Sequence, residues 1–175
     1  EKRPLVGGGT WRLLGPLQGN KARRAVETFD AIDSLDSVDL ARRLDRIVRE
    51  VRGLPAEGPV VEVGRYPVLL QVNVDDDPAK AGFSPVELAA ALPELTGLGA
   101  LRLAGCMTIG RLVPDAELAR PTFRGLRELV AGLRAEHPTL GPDLSMGMSD
   151  DYPVAVEEGA TIVRVGRALF GDRVA

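Results

Sequence analysis

Short runs of apolar and β-branched residues alternate with longer amphipathic stretches along this chain, and that alternation limits the fold more than any other feature. Strands are predicted over residues 11–14, 31–34, 67–74, 101–109, 144–146 and 161–165, with helices over 21–29, 38–52, 85–92, 115–135 and 152–158. Within 38–52 the apolar positions Leu40, Leu44, Ile47 and Val51 follow the helical period. The run PVLLQVNV at 67–74 is nearly continuous in apolar residues, the pattern of a strand buried on both faces. Residues 53–66 are rich in Gly and Pro and read as a loop.

Strands separated by helices imply right-handed crossovers and a parallel sheet. A (β/α)8 TIM-type barrel needs eight strands, so six leave two βα units unaccounted for. An open doubly wound sheet is satisfied by six. The position of the small and polar clusters separates the two. They follow five of the six predicted strands: Gly15 to Asn20, Asn73 to Gly82, Thr108 to Gly110, Gly147 to Ser149, and Gly166 with Arg167. An open sheet gathers its site at one switch point, whereas a barrel brings every strand end to one mouth. The distribution favours the barrel, as a single domain over residues 1–175.

Composition removes several function classes. The formal net charge is −3, and acidic residues are interleaved with the arginines, so no basic stripe is available for nucleic acid or an anionic membrane. No apolar run approaches the ~20 residues that span a bilayer, and no signal peptide opens the chain. The one cysteine, Cys106, allows no disulfide framework and reads as a small buried hydrophobe. A cytoplasmic protein is expected. The chain opens at Glu1 and runs into Val6-Gly7-Gly8-Gly9-Thr10, which reads as a loop joined to something upstream.

The segment 144–171, LSMGMSDDYPVAVEEGATIVRVGRALFG, carries the most chemistry. Residues 145–149 form a strand-to-helix turn in which Gly147 permits a tight backbone path. Ser149 or Asp150 is placed to cap the helix beginning near Tyr152, and a serine hydroxyl beside the free N–H groups there can bind a phosphate. A plain capping serine is the bland alternative. In the next strand Arg164 interrupts an apolar run, and a buried guanidinium is costly unless paired. Its partner is either a carboxylate or a ligand. Gly166 then lets a ligand approach the backbone where the strand ends. Barrel phosphate sites are often built from the loops after the last two strands, which is where Ser149 and Gly166 fall.

These residues resemble the signature of the pyridoxal phosphate homeostasis proteins, which share the N-terminal barrel of alanine racemase. The resemblance extends over nearly the whole chain. It includes Gly15-Pro16-Leu17-Gln18 with Asn20-Lys21, Ser34-Leu35-Asp36, Gln71-Val72-Asn73 with Lys80 and Gly82, and Cys106-Met107-Thr108-Ile109. It implies an alanine racemase N-terminal-like barrel with the first two βα units missing, and pyridoxal 5'-phosphate (PLP) as cofactor. It further implies that the Ser149 hydroxyl and the backbone N–H groups of Gly166 and Arg167 hold the cofactor phosphate, and that Arg164 faces the pyridine nitrogen. Arginine stays protonated in proteins. Such a partner keeps the ring nitrogen unprotonated, which restrains carbanion chemistry and suits a carrier.

The departures are specific. Arg167 stands where the family usually has a small residue, often threonine, so its guanidinium either replaces that hydroxyl or points to solvent. Gly110 stands where a proline is common. The family links its cofactor through a lysine at the end of the first barrel strand, yet this chain has only Lys2, Lys21 and Lys80, and none fits that pattern. An N-terminally shortened chain is expected, keeping the phosphate half of the site without the covalent half.

The expected function is therefore non-catalytic PLP binding in intracellular PLP homeostasis. Open barrel edges offer a route to self-association or to poor independent folding. Two enzymatic alternatives are weaker. A racemase-like enzyme needs a tyrosine from a further domain, and Tyr66 and Tyr152 are the only tyrosines. A sugar-phosphate barrel enzyme needs an acid–base pair at the strand ends, and none is evident. His137 before Pro138 reads as a solvated or C-capping residue, and Asp75-Asp76-Asp77 as a solvated loop with no metal partners at suitable spacing.

Overall fold

In a computed structural model that describes residues 8–111 and 113–171, six parallel strands lie side by side in chain order. They are β1 (Arg12–Leu13), β2 (Ala31–Leu35), β3 (Tyr66–Gln71), β4 (Leu101–Met107), β5 (Asp143–Met148) and β6 (Ile162–Arg164). Among the described residues each strand pairs with its sequence neighbours alone, so β1 and β6 each have a neighbour on one side. A doubly wound sheet would reverse direction at a switch point. No reversal occurs, so the arrangement is an open barrel of six strands, as the strand-end clusters implied.

The helices are α1 (Ala22–Thr28), α2 (Val38–Arg52), α3 (Pro85–Gly97), α4 (Arg120–Glu136), α5 (Tyr152–Glu157) and α6 (Arg167–Phe170). Helix α2 matches its predicted bounds because both ends are signalled. The Ser37 hydroxyl accepts from Leu40 N at its start, and Gly53 takes a left-handed conformation at its end (φ 63°). Helix α3 runs past the predicted stop. Ser84 and Glu87 close a capping box at its start, and Pro93 lies inside it on the exposed side. Burial of Leu92 and Leu95 offsets the backbone bond that Pro93 removes. Helix α6 lies beyond the last predicted element, and α4 is preceded by a 3-10 turn over Ala116–Ala119.

The two faces of the sheet differ. One apolar cluster joins Ile32, Val68, Leu70, Leu103 and Cys106 of the strands to Leu44, Leu88, Phe123 and Leu126 of the helices. On the opposite face the described residues form a small apolar cluster of Leu69, Ala104 and Met107, with Ile109 and Ile162 packed against them. Helices on a single face are what a barrel wall requires.

Candidate functional site

The strands are parallel, so their C-terminal ends share one rim. The turn after β5 (residues 149–151) and the turn after β6 (residues 165–167) lie on that rim beside each other, since Met148 pairs with Arg164 in the last ladder. Ser149 and Gly166 are thus brought to one end of the sheet. Gly147 is what makes the β5 turn so tight. Its φ is 86°, and a Cβ there would stand 2.5 Å from the Ala155 Cβ.

Neither Ser149 nor Asp150 caps α5, contrary to expectation. The cap position belongs to Asp151, whose buried carboxylate turns back to accept from Met148 N at 2.6 Å instead of from the helix. An aspartate two residues beyond the serine wins because it can close a three-residue turn onto the strand end. The bland reading of Ser149 as a helix cap is therefore set aside.

Arg164 resolves its two alternatives in an unexpected way: no carboxylate contacts it among the described residues. Its Nη1 donates to the Ser145 carbonyl and hydroxyl, both at 2.9 Å, and its Nη2 donates to the Thr108 carbonyl at 2.7 Å. The side chain thus reaches from β6 past β5 to the end of β4. The guanidinium is clamped by neutral acceptors, and burial pulls its pKa below the usual arginine range, while the charges of Asp33 and Asp151 act in the opposite direction. Its Nε is buried and makes no hydrogen bond to the described residues. One donor on a fixed guanidinium is therefore unspent, which is the property an acceptor such as a ring nitrogen needs.

Arg167 does not simply point to solvent. Its Nη2 pairs with Asp150, so an ion pair bridges the two rim turns. Gly166 is exposed, and a Cβ there would meet nothing within 4 Å.

A concavity lies further round the rim. It is a cavity of about 190 Å3 lined in part by Gly15 and Pro16 after β1, Gln71 and Asn73 after β3, Lys80, and Ile109 after β4. This brings together segments that the sequence singled out separately. Gln71 Nε2 donates to the Ala81 carbonyl at 2.8 Å, and Gly82 takes φ 124° because a Cβ would stand 2.9 Å from the Gln71 carbonyl oxygen. Lys80 proves closer to the rim than expected. Its Nζ donates to the Ile109 carbonyl at 3.1 Å and faces Asp75 and Asp77 at 3.8 and 3.6 Å. Asp75 is not a plain solvated residue either, since it accepts from the Thr122 hydroxyl at 2.6 Å. Lys21 closes the 3-10 turn ahead of α1, and Lys2 lies outside the described residues. Cys106 is buried, as read, with its thiol pushed up to about 12 by burial. His137 is the C-cap residue of α4.

Among the charged pairs that sequence reasoning missed, one joins the first two strands. Arg12 on β1 donates from Nε and Nη2 to the carboxylate of Asp33 on β2 at 2.7–3.1 Å, and the Asp33 side chain is 4 % exposed. The signal was present: each strand carries one charge inside an apolar run, WRLL and AIDSL.

Comparison with known proteins fixes the class first. The profile of the alanine racemase N-terminal domain matches residues 2–174, and six sequential parallel strands walled by helices agree with it. Alanine racemase of Clostridium difficile 630 is similar in fold, with a TM-score of 0.71 at 14 % identity over 94 % of this chain and 40 % of that one. Within this class the curated relatives are more specific. The pyridoxal phosphate homeostasis protein of Synechocystis sp. is 39 % identical over 94 % of this chain and 70 % of its own length. That of Vibrio cholerae is 37 % identical over 93 % of this chain and 64 % of its length. The structure of PipY from Synechococcus elongatus PCC7942 with PLP bound superimposes with a TM-score of 0.81, at 43 % identity over 97 % of this chain and 75 % of that one. The chain belongs to the pyridoxal phosphate homeostasis protein family. Among the described residues no helix is long and apolar enough to cross a membrane, and no cluster of three or more potential metal ligands occurs.

Proposed function

We propose that this chain binds PLP without catalysing a reaction on it and serves PLP homeostasis in the cytoplasm. The Ser149 hydroxyl and the Gly166 and Arg167 N–H groups would hold the phosphate, and Arg164 would meet the ring nitrogen. The observation that carries the reading is the clamped Arg164, fixed by three neutral acceptors beside the two rim turns with its Nε unspent. The names of the relatives and the PLP bound to PipY support it. When bound, PLP supplies an electron sink whose strength depends on protonation of its ring nitrogen. Arg164 can donate there but cannot hand over its proton, so the sink stays weak and carriage is favoured over catalysis.

The racemase-like alternative calls for a tyrosine base, and the two tyrosines are placed differently. Tyr66 sits at the other end of the sheet, at the start of β3, buried with its hydroxyl donating to the Phe29 carbonyl at 2.9 Å. Tyr152 is the first residue of α5 and lies 40 % exposed. The unpaired edges of β1 and β6 give self-association a route, which sedimentation would detect.

Titration with PLP, followed by absorbance, tests the reading. Binding is expected, with no adduct trapped by borohydride on Lys21 or Lys80. Ser149→Ala and Arg164→Gln should each weaken binding by roughly 1–3 kcal/mol, the worth of one charge-assisted hydrogen bond. Undiminished affinity in both variants would end the site assignment.

A further inference from the structure

The ion pair between Asp150 and Arg167 joins the two turns to which phosphate binding has just been assigned, and its energetics give it a role. Both side chains are more than half exposed, at 59 % and 55 %. Exposed pairs of this kind contribute little to stability. A phosphomonoester carries close to two negative charges near neutral pH and presents three acceptor oxygens, against the single charge of one carboxylate. Arginine also binds phosphate bidentately, which adds geometric selectivity to charge. A phosphate arriving between the turns after β5 and β6 is therefore a stronger partner for Arg167 than Asp150 is. The guanidinium would swing between turns that already adjoin. Asp150 alone would repel that phosphate. Its charge is neutralised by Arg167 while the site waits, and becomes a competitor once the ligand arrives.

We propose that Asp150 and Arg167 form a swing pair: Asp150 holds the Arg167 guanidinium at the lip of the site, and a bound phosphomonoester dianion takes it over. This makes Arg167 a determinant of selectivity for phosphorylated over unphosphorylated ligands, with Asp150 setting the affinity. The inference rests on the placement of the phosphate between Ser149 and Gly166.

The test compares inorganic phosphate, PLP and pyridoxal as ligands of the full chain by calorimetry. Asp150→Asn is expected to tighten phosphate and PLP by roughly 3- to 10-fold and to leave pyridoxal unchanged, since only an exposed pair and one repulsive charge are removed. Arg167→Ala should weaken phosphate and PLP and reduce the preference for PLP over pyridoxal. In the Arg167→Ala background the gain from Asp150→Asn should shrink to about twofold or less, because only the repulsive charge is then left to remove. If wild-type chain binds PLP but Asp150→Asn gives no gain, or an equal gain with and without Arg167, the swing pair is wrong and the site stands. If Ser149→Ala leaves the binding of phosphate and PLP intact, the placement itself is wrong and the swing pair goes with it.

Discussion

The two faces of this sheet are built on different principles. The helix-facing side is apolar and continuous, joining β2, β3 and β4 to α2, α3 and α4 through side chains such as Leu44, Leu70, Leu92 and Phe123, all fully buried. The other side has three buried apolar residues, Leu69, Ala104 and Met107, and around them the Arg12–Asp33 pair and the Arg164 clamp. Burial holds the first face together, while directional bonds between strands distant in sequence hold the second. The proposed PLP site draws on the second, whose polar groups are fixed and partly unspent.

That contrast can be broken most directly by cutting each face in turn. The largest effect should come from Phe123→Ala on the helix side. Its ring is fully buried, and loss of a buried phenylalanine costs about 3–5 kcal/mol, read as a shift of the urea midpoint with unchanged slope. PLP affinity of the fraction that remains folded should be unaffected. If binding falls along with stability, the two faces are not separable.

Next in size is Asp33→Ala on the inner side. It removes the acceptor for two nitrogens of Arg12. Arg12 is 29 % exposed and can turn towards water, so the cost should stay near 1–3 kcal/mol, below that of a fully buried pair. Asp33 also lends its negative charge to Arg164 from a distance. The variant should therefore weaken PLP binding slightly as well, a coupling that Phe123→Ala lacks. Equal binding in wild type and Asp33→Ala would confine Asp33 to a structural role.

Legibility in the sequence follows the same division. Helix α2 was readable to the residue because its stripe, its Ser37 cap and its Gly53 stop are all local. All six strands were found, and their sequential order was implied by where the small residues fall. Strand lengths were less readable. Among the described residues two of β1 pair with β2, and Val72 beyond β3 adds a bridge to Phe83. At the site, the positions of Ser149, Arg164 and Gly166 on one rim were legible from topology. Their partners were not. Ser145 and Thr108 lie 19 and 56 residues from Arg164, and nothing local tells a guanidinium which carbonyl it will reach. The capping role failed because Ser149, Asp150 and Asp151 all qualify by residue type, and only the backbone path through Gly147 selects the third.

The smallest effect sharpens the comparison by locating a charge where the helix side should have none. Glu158, just past α5, has a side chain only 5 % exposed, with Arg120, Arg124 and Arg127 of α4 at 3.1, 3.2 and 2.8 Å. It lies between two helices, outside the sheet, so it tests whether directional bonds matter away from the inner face. Hydrogen bonds from Arg120 and then Arg124 hold its carboxyl below the ordinary value of 4.5. A carboxyl whose folded pKa is depressed stabilises fully above its unfolded pKa, and that stability is lost as pH falls through the folded value. Wild-type melting temperature should thus carry a Glu158-dependent decline that begins near pH 4.5 and continues below it. Glu158→Gln should start lower at pH 7 and show less of that decline, so the two curves converge in acid. Parallel curves from pH 7 to pH 3 would mean that the three arginines contribute no pH-dependent stability through this carboxylate, leaving apolar burial alone to join α4 and α5.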